Sequence, residues 1–477
     1  MSDAADAPGS GAEAGSRAAA AQPAATSASQ STRAAGDEGA LERMRALVRI
    51  PTISRGDAAE VDWAAFEAFV AAVEELYPAT HGALERELVG GHTLLFRWKG
   101  TEAGPASVLM AHYDVVAATD EGWRHPPFAA EVTGRGDDRV LWGRGTLDNK
   151  ASAVSILEAV ERTVTTGFAP RHDLYLLFGH DEEVDGTGAA AVVDLLTARG
   201  VRIGLVLDEG GAVVEKLFPT VDRPVAVVGV SEKGTTMFRL TVEQPGGHAS
   251  TPPRDTATNR LARAIVRLSK RPFPSRINPV TGRMLATVGA HGRGAIRFVF
   301  TRVNLFRPLL VLVLSRLTDE TAALLHTTIA VTQLSGSLAA NALAEQATAV
   351  VNARIAIGST VEGTRRRLER VIADPAVRVE VQSANEPAPV SQMSGPTWNL
   401  LSDAITSAYP TAIVTPYVQT GATDSRQFAT LSRTVYRFSP FEMSSDERAT
   451  LHAKDERMSV STFFTGIRFF EGLIARL

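Results

Sequence analysis

Three short apolar runs in this sequence end where a histidine or carboxylate begins. SVLMAH leads into Tyr113 and Asp114, LYLLFGH into Asp181, Glu182 and Glu183, and IGLVLD into Glu209. Continuous apolar runs of this length are strands buried on both faces. With helical stretches after them, Ala151 to Val164 and Gly188 to Arg199, they predict an α/β sheet. In open α/β sheets the site lies at the carboxyl ends of the strands. His112, Asp114, the 180–183 run and Asp208 are all at such ends.

Between the first two runs lies LWGRGTLDNKAS, residues 141–152. Its Gly-Arg-Gly turn delivers Asp148 to the mouth of a helix. Alone, an Asp before an Ala/Val/Ile-rich run is an N-cap; beside its neighbours, Asp148 reads as a carboxylate bridging two metal ions. His112 and Asp114 are two residues apart, so on an extended strand they point the same way. A ligating imidazole donates its other N–H to a carboxylate, and Asp114 is the natural partner. Repulsion among Asp181, Glu182 and Glu183 would be unfavourable without a cation between them. Either Asp208 or Glu209 could serve as a further ligand, and His452, in LHAKDERM, supplies a late imidazole. A two-metal centre about 3.5–4 Å across lowers the pKa of a shared water enough to attack an unactivated amide.

Composition narrows the chemistry. With no cysteine, thiolate sites and a cysteine nucleophile are excluded. A net charge of −4, with Lys and Arg dispersed, argues against nucleic acid as a partner. The 477 residues imply two domains. Residues 1–38 hold almost nothing large and apolar and are expected to be disordered. They lack the basic start and apolar core of a secretory signal, so a cytoplasmic location is expected. Helices follow near Ala40 and over Val61 to Leu76 as packing elements. From Ser231 the texture changes to strand, helix, two strands, helix and strand, which predicts an inserted α+β ferredoxin-like domain over 231–384. The catalytic domain is then 39–230 with 385–477. Leu305 to Leu317, LFRPLLVLVLSRL, is about half a membrane span. It is read as a helix packed in or under the inserted domain, the alternative being an apolar wall for a greasy substrate or an oligomer contact. No stable membrane insertion is predicted.

Taken in order, AHYDVV, GRGTLDNKAS, GHDEEVDGTGA, LVLDEGG, SEKG with PGGHAS, NARI, TGATDSR and LHAKDERM resemble the di-zinc M20 metallopeptidases across residues 40–477. Within that family the chain is most similar to the subgroup of carboxypeptidase S and N-fatty-acyl-amino-acid synthase/hydrolase. The resemblance implies a di-zinc aminopeptidase-like catalytic domain with a mixed, mostly parallel sheet and an inserted lid. It implies two Zn2+ per chain, with Co2+ or Mn2+ as substitutes. One is held by His112, Asp148 and Asp208, the other by Asp148, Glu183 and His452. Glu182 is implied as general base, Asp114 as the group orienting His112, and Asn149 as a position often preceded by a cis peptide. His248 is implied as the lid donor to the oxyanion and Arg354 as the partner of a substrate carboxylate. Asn341 and the Gly421–Asp424 turn are implied to line the substrate. The implied reaction is hydrolysis of an amide or peptide bond next to a free carboxylate, releasing an amino acid from an N-acyl-amino acid or short peptide. A strict dipeptidase, a biosynthetic N-deacylase and a non-catalytic metal-dependent binding protein are the alternatives. Glu182 beside Glu183 speaks against the last. A homodimer through the inserted domain is implied, with the 280–320 insertion placed to block that edge.

Overall fold

The structure, a computed structural model, describes residues 22–184, 186–215 and 221–477, with side chains from 33 onward. The apolar runs become neighbours in a ten-stranded mixed sheet. Ala106–His112 lies between Leu174–Gly179 and Ile203–Asp208, parallel to both. His112 faces Gly179 across one pair and Leu109 faces Leu207 across the other, so the three carboxyl ends finish at nearly the same level. Thr93–Trp98 and Glu85–Val89 extend one side antiparallel. Val435–Arg437, Val225–Glu232 and Ile413–Gln419 extend the other.

Both faces of this sheet are covered, as continuous apolar strands require. The Lys150–Val164 helix is buried at every position through Val160 and packs between the sheet and the Val460–Ile474 helix. Thr187–Ala198 covers the opposite face, placing Ala189, Val192 and Leu196 against Val108, Met110 and Leu177. A small antiparallel sheet of Glu131–Thr133, Val140–Trp142 and Arg457–Ser459 binds the C-terminal segment to the Gly-Arg-Gly turn. This pairing brings His452 back to Asp148.

The inserted domain continues from Val225–Glu232 through Lys233 into Gly234–Glu243. Its antiparallel sheet runs Thr328–Ser335, Gln346–Ile355, Gly234–Glu243, Arg378–Asn385. Ala257–Lys270 and Val361–Ile372 supply its helices. Ala257, Leu261, Ala264 and Leu268 give the first helix one buried stripe, and Thr256 caps it by accepting from the Asn259 N–H. At the crossing, Ala388 N–H donates to Glu232 and Ser391 N–H to Val230.

Two expectations change. A helix spans Gln22–Val48, so 22–38 are not a disordered tail; residues 1–21 lie outside the described residues. Alanine favours helix, and Asp37, Glu38 and Arg33 pair with Arg162, Arg139 and Glu471. Second, the helices Pro279–Ala290, Gly294–Phe300, Val303–Leu317 and Asp319–Ala323 lie within the 231–384 boundary, but the first packs on Ile413–Gln419 of the large sheet and the others are built onto it. Met284, Leu285, Val288, Leu310 and Leu314 cluster with Val225, Val227 and Ile413. The Val303–Leu317 helix is therefore neither in nor under the inserted domain's own core. Chain order placed it there, but its buried face joined the cluster at the edge of the large sheet.

Candidate metal centre and active site

The Asp148 loop is fixed from the far end of the chain. Arg144, in the Gly-Arg-Gly turn, pairs with Glu456 at 2.6 Å, both buried, and donates to the Ala453 carbonyl at 3.0 Å. The other Glu456 oxygen accepts the N–H groups of Leu147 and Asp148 at 2.8 and 3.1 Å. Gly145 has φ +85°, and a Cβ there would stand 2.9 Å from Val115, so only glycine fits the turn. The Asp148–Asn149 peptide is cis, as the resemblance implies.

Asp148 divides its carboxylate. Oδ1 lies 3.1 Å from His112 Nε2, and Oδ2 lies 2.8 Å from His452 Nε2. Glu209 Oε1 is 3.5 Å from His112 Nε2, and Glu183 Oε2 is 3.1 Å from His452 Nε2. Two triads result, His112–Asp148–Glu209 and Asp148–Glu183–His452, with the ligand atoms of each within 4.8 Å of one another. Asp114 sits beneath them, its side chain 3.2 Å from His112 Nδ1. It accepts the backbone N–H groups of Glu182 and Glu183 at 3.2 and 3.1 Å, so one carboxylate orients an imidazole and the 182–183 turn together. His452 has φ +57°, a left-handed conformation uncommon outside glycine and held here by its surroundings.

One ligand assignment changes. Asp208 turns away, accepting the Ser425 N–H at 2.8 Å through Oδ2, while its backbone carbonyl receives Phe438 N–H. Successive strand residues face opposite ways, and Glu209, just past the strand end, is the one delivered to His112. A Cβ on Gly211 would collide with the Val227 carbonyl, which is how the chain leaves Glu209 so tightly.

The charges fit a dication pair. Against burial, which disfavours its charge, Asp148 is held below the usual carboxylate range by His112 and His452. Hydrogen bonds to Asp148 and Glu183 raise His452 to about 10. Burial disfavours charge on His112, but Glu209, Asp114 and Asp148 outweigh it and raise the imidazole. Burial, with Asp148 and Asp208, pushes Glu209 up to about 8. Burial also lifts Glu182 well above its ordinary value, and Glu209, Asp424 and Asp148 add to the rise. Carboxylates thus outnumber imidazoles in a partly buried cluster that is open at His452, and Glu183 Oε1 is buried with no hydrogen-bond partner. Imidazole nitrogen with carboxylate oxygen is the donor set of zinc and its first-row neighbours.

Residues 108–476 match the peptidase family M20/M25/M40. The chain belongs to that family. It is 34% identical over 438 residues to N-fatty-acyl-amino acid synthase/hydrolase PM20D1.1 of Danio rerio, covering 90% of this chain and 84% of the relative. Carboxypeptidase S of Saccharomyces cerevisiae is 29% identical, covering 90% and 82%. Among solved structures, the M20 family metallo-carboxypeptidase Sso-CP2 from Sulfolobus solfataricus superposes with a TM-score of 0.65 at 16% identity, covering 91% of this chain and 98% of that one. The M20 fold, with its catalytic and inserted domains, is the one described above.

In this M20 enzyme the remaining predicted residues lie outside the triads. His248 and Asn341 are exposed and adjacent: Ala249 N–H donates to the Asn341 carbonyl at 3.1 Å, and His248 bridges to Ala342. Arg354 is half-buried, donating to the Thr235 hydroxyl at 2.7 Å. Burial lowers its pKa, and Glu232 opposes. The Gly421 turn is tied to the domain crossing, because Thr423 N–H donates to Glu232, which pairs with buried Arg437 at 2.8 Å. Sequence reasoning missed Arg144 and Glu456. Their only signal was a charged residue within each of two motifs. It also read Trp63 and Phe66 as packing alone, yet with His180 and Val184 they line a cavity of about 130 Å³ beside the 181–183 turn.

Proposed function

We propose that this M20 enzyme is a di-zinc hydrolase that releases an amino acid from an N-acyl-amino acid or a short peptide. His112, Asp148 and Glu209 would hold one zinc, and Asp148, Glu183 and His452 the other. The observation that carries this is Asp148, which presents one oxygen to each of two imidazoles. Bound there, two cations would supply polarisation of the carbonyl and an attacking water whose pKa is drawn towards neutrality. Glu182 takes the proton from that water and passes it to the leaving amine, a task for which a carboxyl raised by its surroundings is suited. Asp114 keeps His112 and the Glu182 backbone in place.

Arg354 pairs with the free carboxylate of the substrate. Its guanidinium is half-buried, and a planar fork of donors matches a carboxylate in two parallel hydrogen bonds. His248, carried by the inserted domain, donates to the oxyanion as that domain closes, and Asn341 and the Gly421 turn line the same space. The cavity between Trp63, Phe66 and Val184 suits an apolar acyl group or side chain. The names of the relatives, a fatty-acyl-amino acid hydrolase and a carboxypeptidase, support this substrate range.

The test is metal content together with amino-acid release from an N-acetyl-amino acid, an N-oleoyl-amino acid and a Gly-Xaa dipeptide, each with and without chelator. Two zinc equivalents and chelator-sensitive release from one of these support the reading and name the preferred class. Full metal content with no turnover on any would overturn it.

A further inference from the structure

The Val303–Leu317 helix has two apolar faces. Val303, Leu310 and Leu314 are buried in the cluster that also holds the Pro279–Ala290 helix and the edge of the large sheet. At about 100° per residue, Leu305, Leu309 and Leu312 fall on the opposite side and Val313 on its flank, and each is 47–70% exposed. Phe298, at the end of the preceding helix, extends the patch. It is half exposed and packs edge-on against Phe306 at 5.6 Å. Contiguous exposed apolar area of this kind marks an interaction surface.

The rim is basic. From Arg293 to Arg316 the chain carries five arginines, Arg293, Arg297, Arg302, Arg307 and Arg316, and no acidic residue, in a protein of net charge −4. Arg302 stacks over the Phe298 ring at 4.4 Å. Arg283, Arg302 and Arg307 line a cavity of about 440 Å³ next to Leu305. Among the described residues, Arg297, Arg302, Arg307 and Arg316 have no acidic partner within salt-bridge distance. Arg302 and Arg316 flank the exposed apolar face, Arg307 lies on the other side of the helix towards Arg283, and an exposed apolar face with arginines as its only charges has the composition of an interfacial helix.

We propose that this face docks on an anionic phospholipid surface, with Leu305, Leu309, Leu312 and Val313 among the upper acyl chains and the arginine-lined cavity receiving headgroup phosphate. The helix lies on the membrane and does not cross it. Fifteen residues reach about 22 Å against a hydrocarbon core of about 30 Å. Its break from Gly294–Phe300, a 112° bend, keeps the two helices from forming one span. Charge decides against a second copy of this chain as the occupant. A two-fold contact would set this patch on itself, bringing together arginines that outnumber the nearby carboxylates, Asp222 beside Arg293 and Asp319 and Glu320 beyond Leu317.

The experiment is co-sedimentation of the full chain with vesicles of phosphatidylcholine alone or mixed with phosphatidylglycerol, at low and high salt. Leu309→Glu/Leu312→Glu and Arg302→Glu/Arg307→Glu are the variants. These side chains are exposed, so hydrolysis of a soluble substrate and the unfolding midpoint should match wild type. Binding to the anionic vesicles is expected, weakened by salt, and roughly tenfold or more weaker in each variant. Equal binding to both vesicle types, unaltered binding in the variants, or no binding at all would overturn the proposal. So would a wild-type dimer in sedimentation velocity that the leucine variant abolishes while vesicles capture neither protein.

Discussion

Glu456 gives the sharpest test of how the centre is held together. Its carboxylate pairs with buried Arg144 and accepts two N–H groups of the loop that carries Asp148, while Arg144 grips the carbonyl beside His452. One pair therefore fixes Asp148 and His452, the two residues proposed to share a metal. In Glu456→Gln the side-chain oxygen still accepts the loop N–H groups, but the guanidinium is left buried without a counter-charge. Removing one partner of a buried pair costs about 3–5 kcal/mol. With a urea slope of about 3 kcal/mol/M, the apparent unfolding midpoint should fall by about 1–1.7 M. Loosening a group that orients a ligand costs about 10–100-fold in metal affinity, which titration of the metal-free variant against a chelator would read. The double variant Arg144→Met/Glu456→Gln removes the stranded charge and should recover most of the midpoint. An unchanged midpoint and unchanged zinc affinity in Glu456→Gln would refute the idea that this pair clamps the centre.

Glu209→Gln should lose about one metal equivalent by elemental analysis, whereas Asp208→Asn should keep both; the reverse pattern would return the ligand role to Asp208. Glu182→Gln should hold its full metal content while kcat drops about 10²–10⁴-fold, so turnover near wild type would remove Glu182 from proton transfer. Arg354→Lys should raise KM for substrates with a free carboxylate by roughly ten- to hundredfold, leave their amides unaffected, and fail as a prediction if both change alike. Lys233, at the domain crossing, supplies the pH test. Burial and then Arg354 lower its pKa to about 8, against about 10.4 in an unfolded chain. Between these values the unfolded chain binds more protons, so this group adds stability as pH rises, at most about 1.4 kcal/mol per unit, and its cost is greatest below pH 8. Denaturation profiles of wild type and Lys233→Met that run parallel from pH 8 to 10.5 would rule this out.

What could be read in the sequence, and what could not, follows from how local each feature is. A buried parallel strand announces itself by an unbroken apolar run, so the level at which His112, Glu183 and Glu209 converge was legible from the pattern of residues alone. Which of two adjacent acids faces inward was not. Asp208 and Glu209 differ by one position at a strand end, where one step reverses the side-chain direction. The tight turn that follows, where Gly211 passes against the Val227 carbonyl, carries no signal in an apolar run. The Arg144–Glu456 pair spans 312 positions and carries no periodic signal, so only the small antiparallel sheet that joins the two segments reveals it. The Val303–Leu317 helix shows a third kind of limit. With apolar residues on both sides, its pattern announces burial but does not say against what, and the cluster at the edge of the large sheet satisfies only one side. The side left over is wasted apolar area unless something covers it, and its arginine rim makes a phospholipid surface the covering that its chemistry fits.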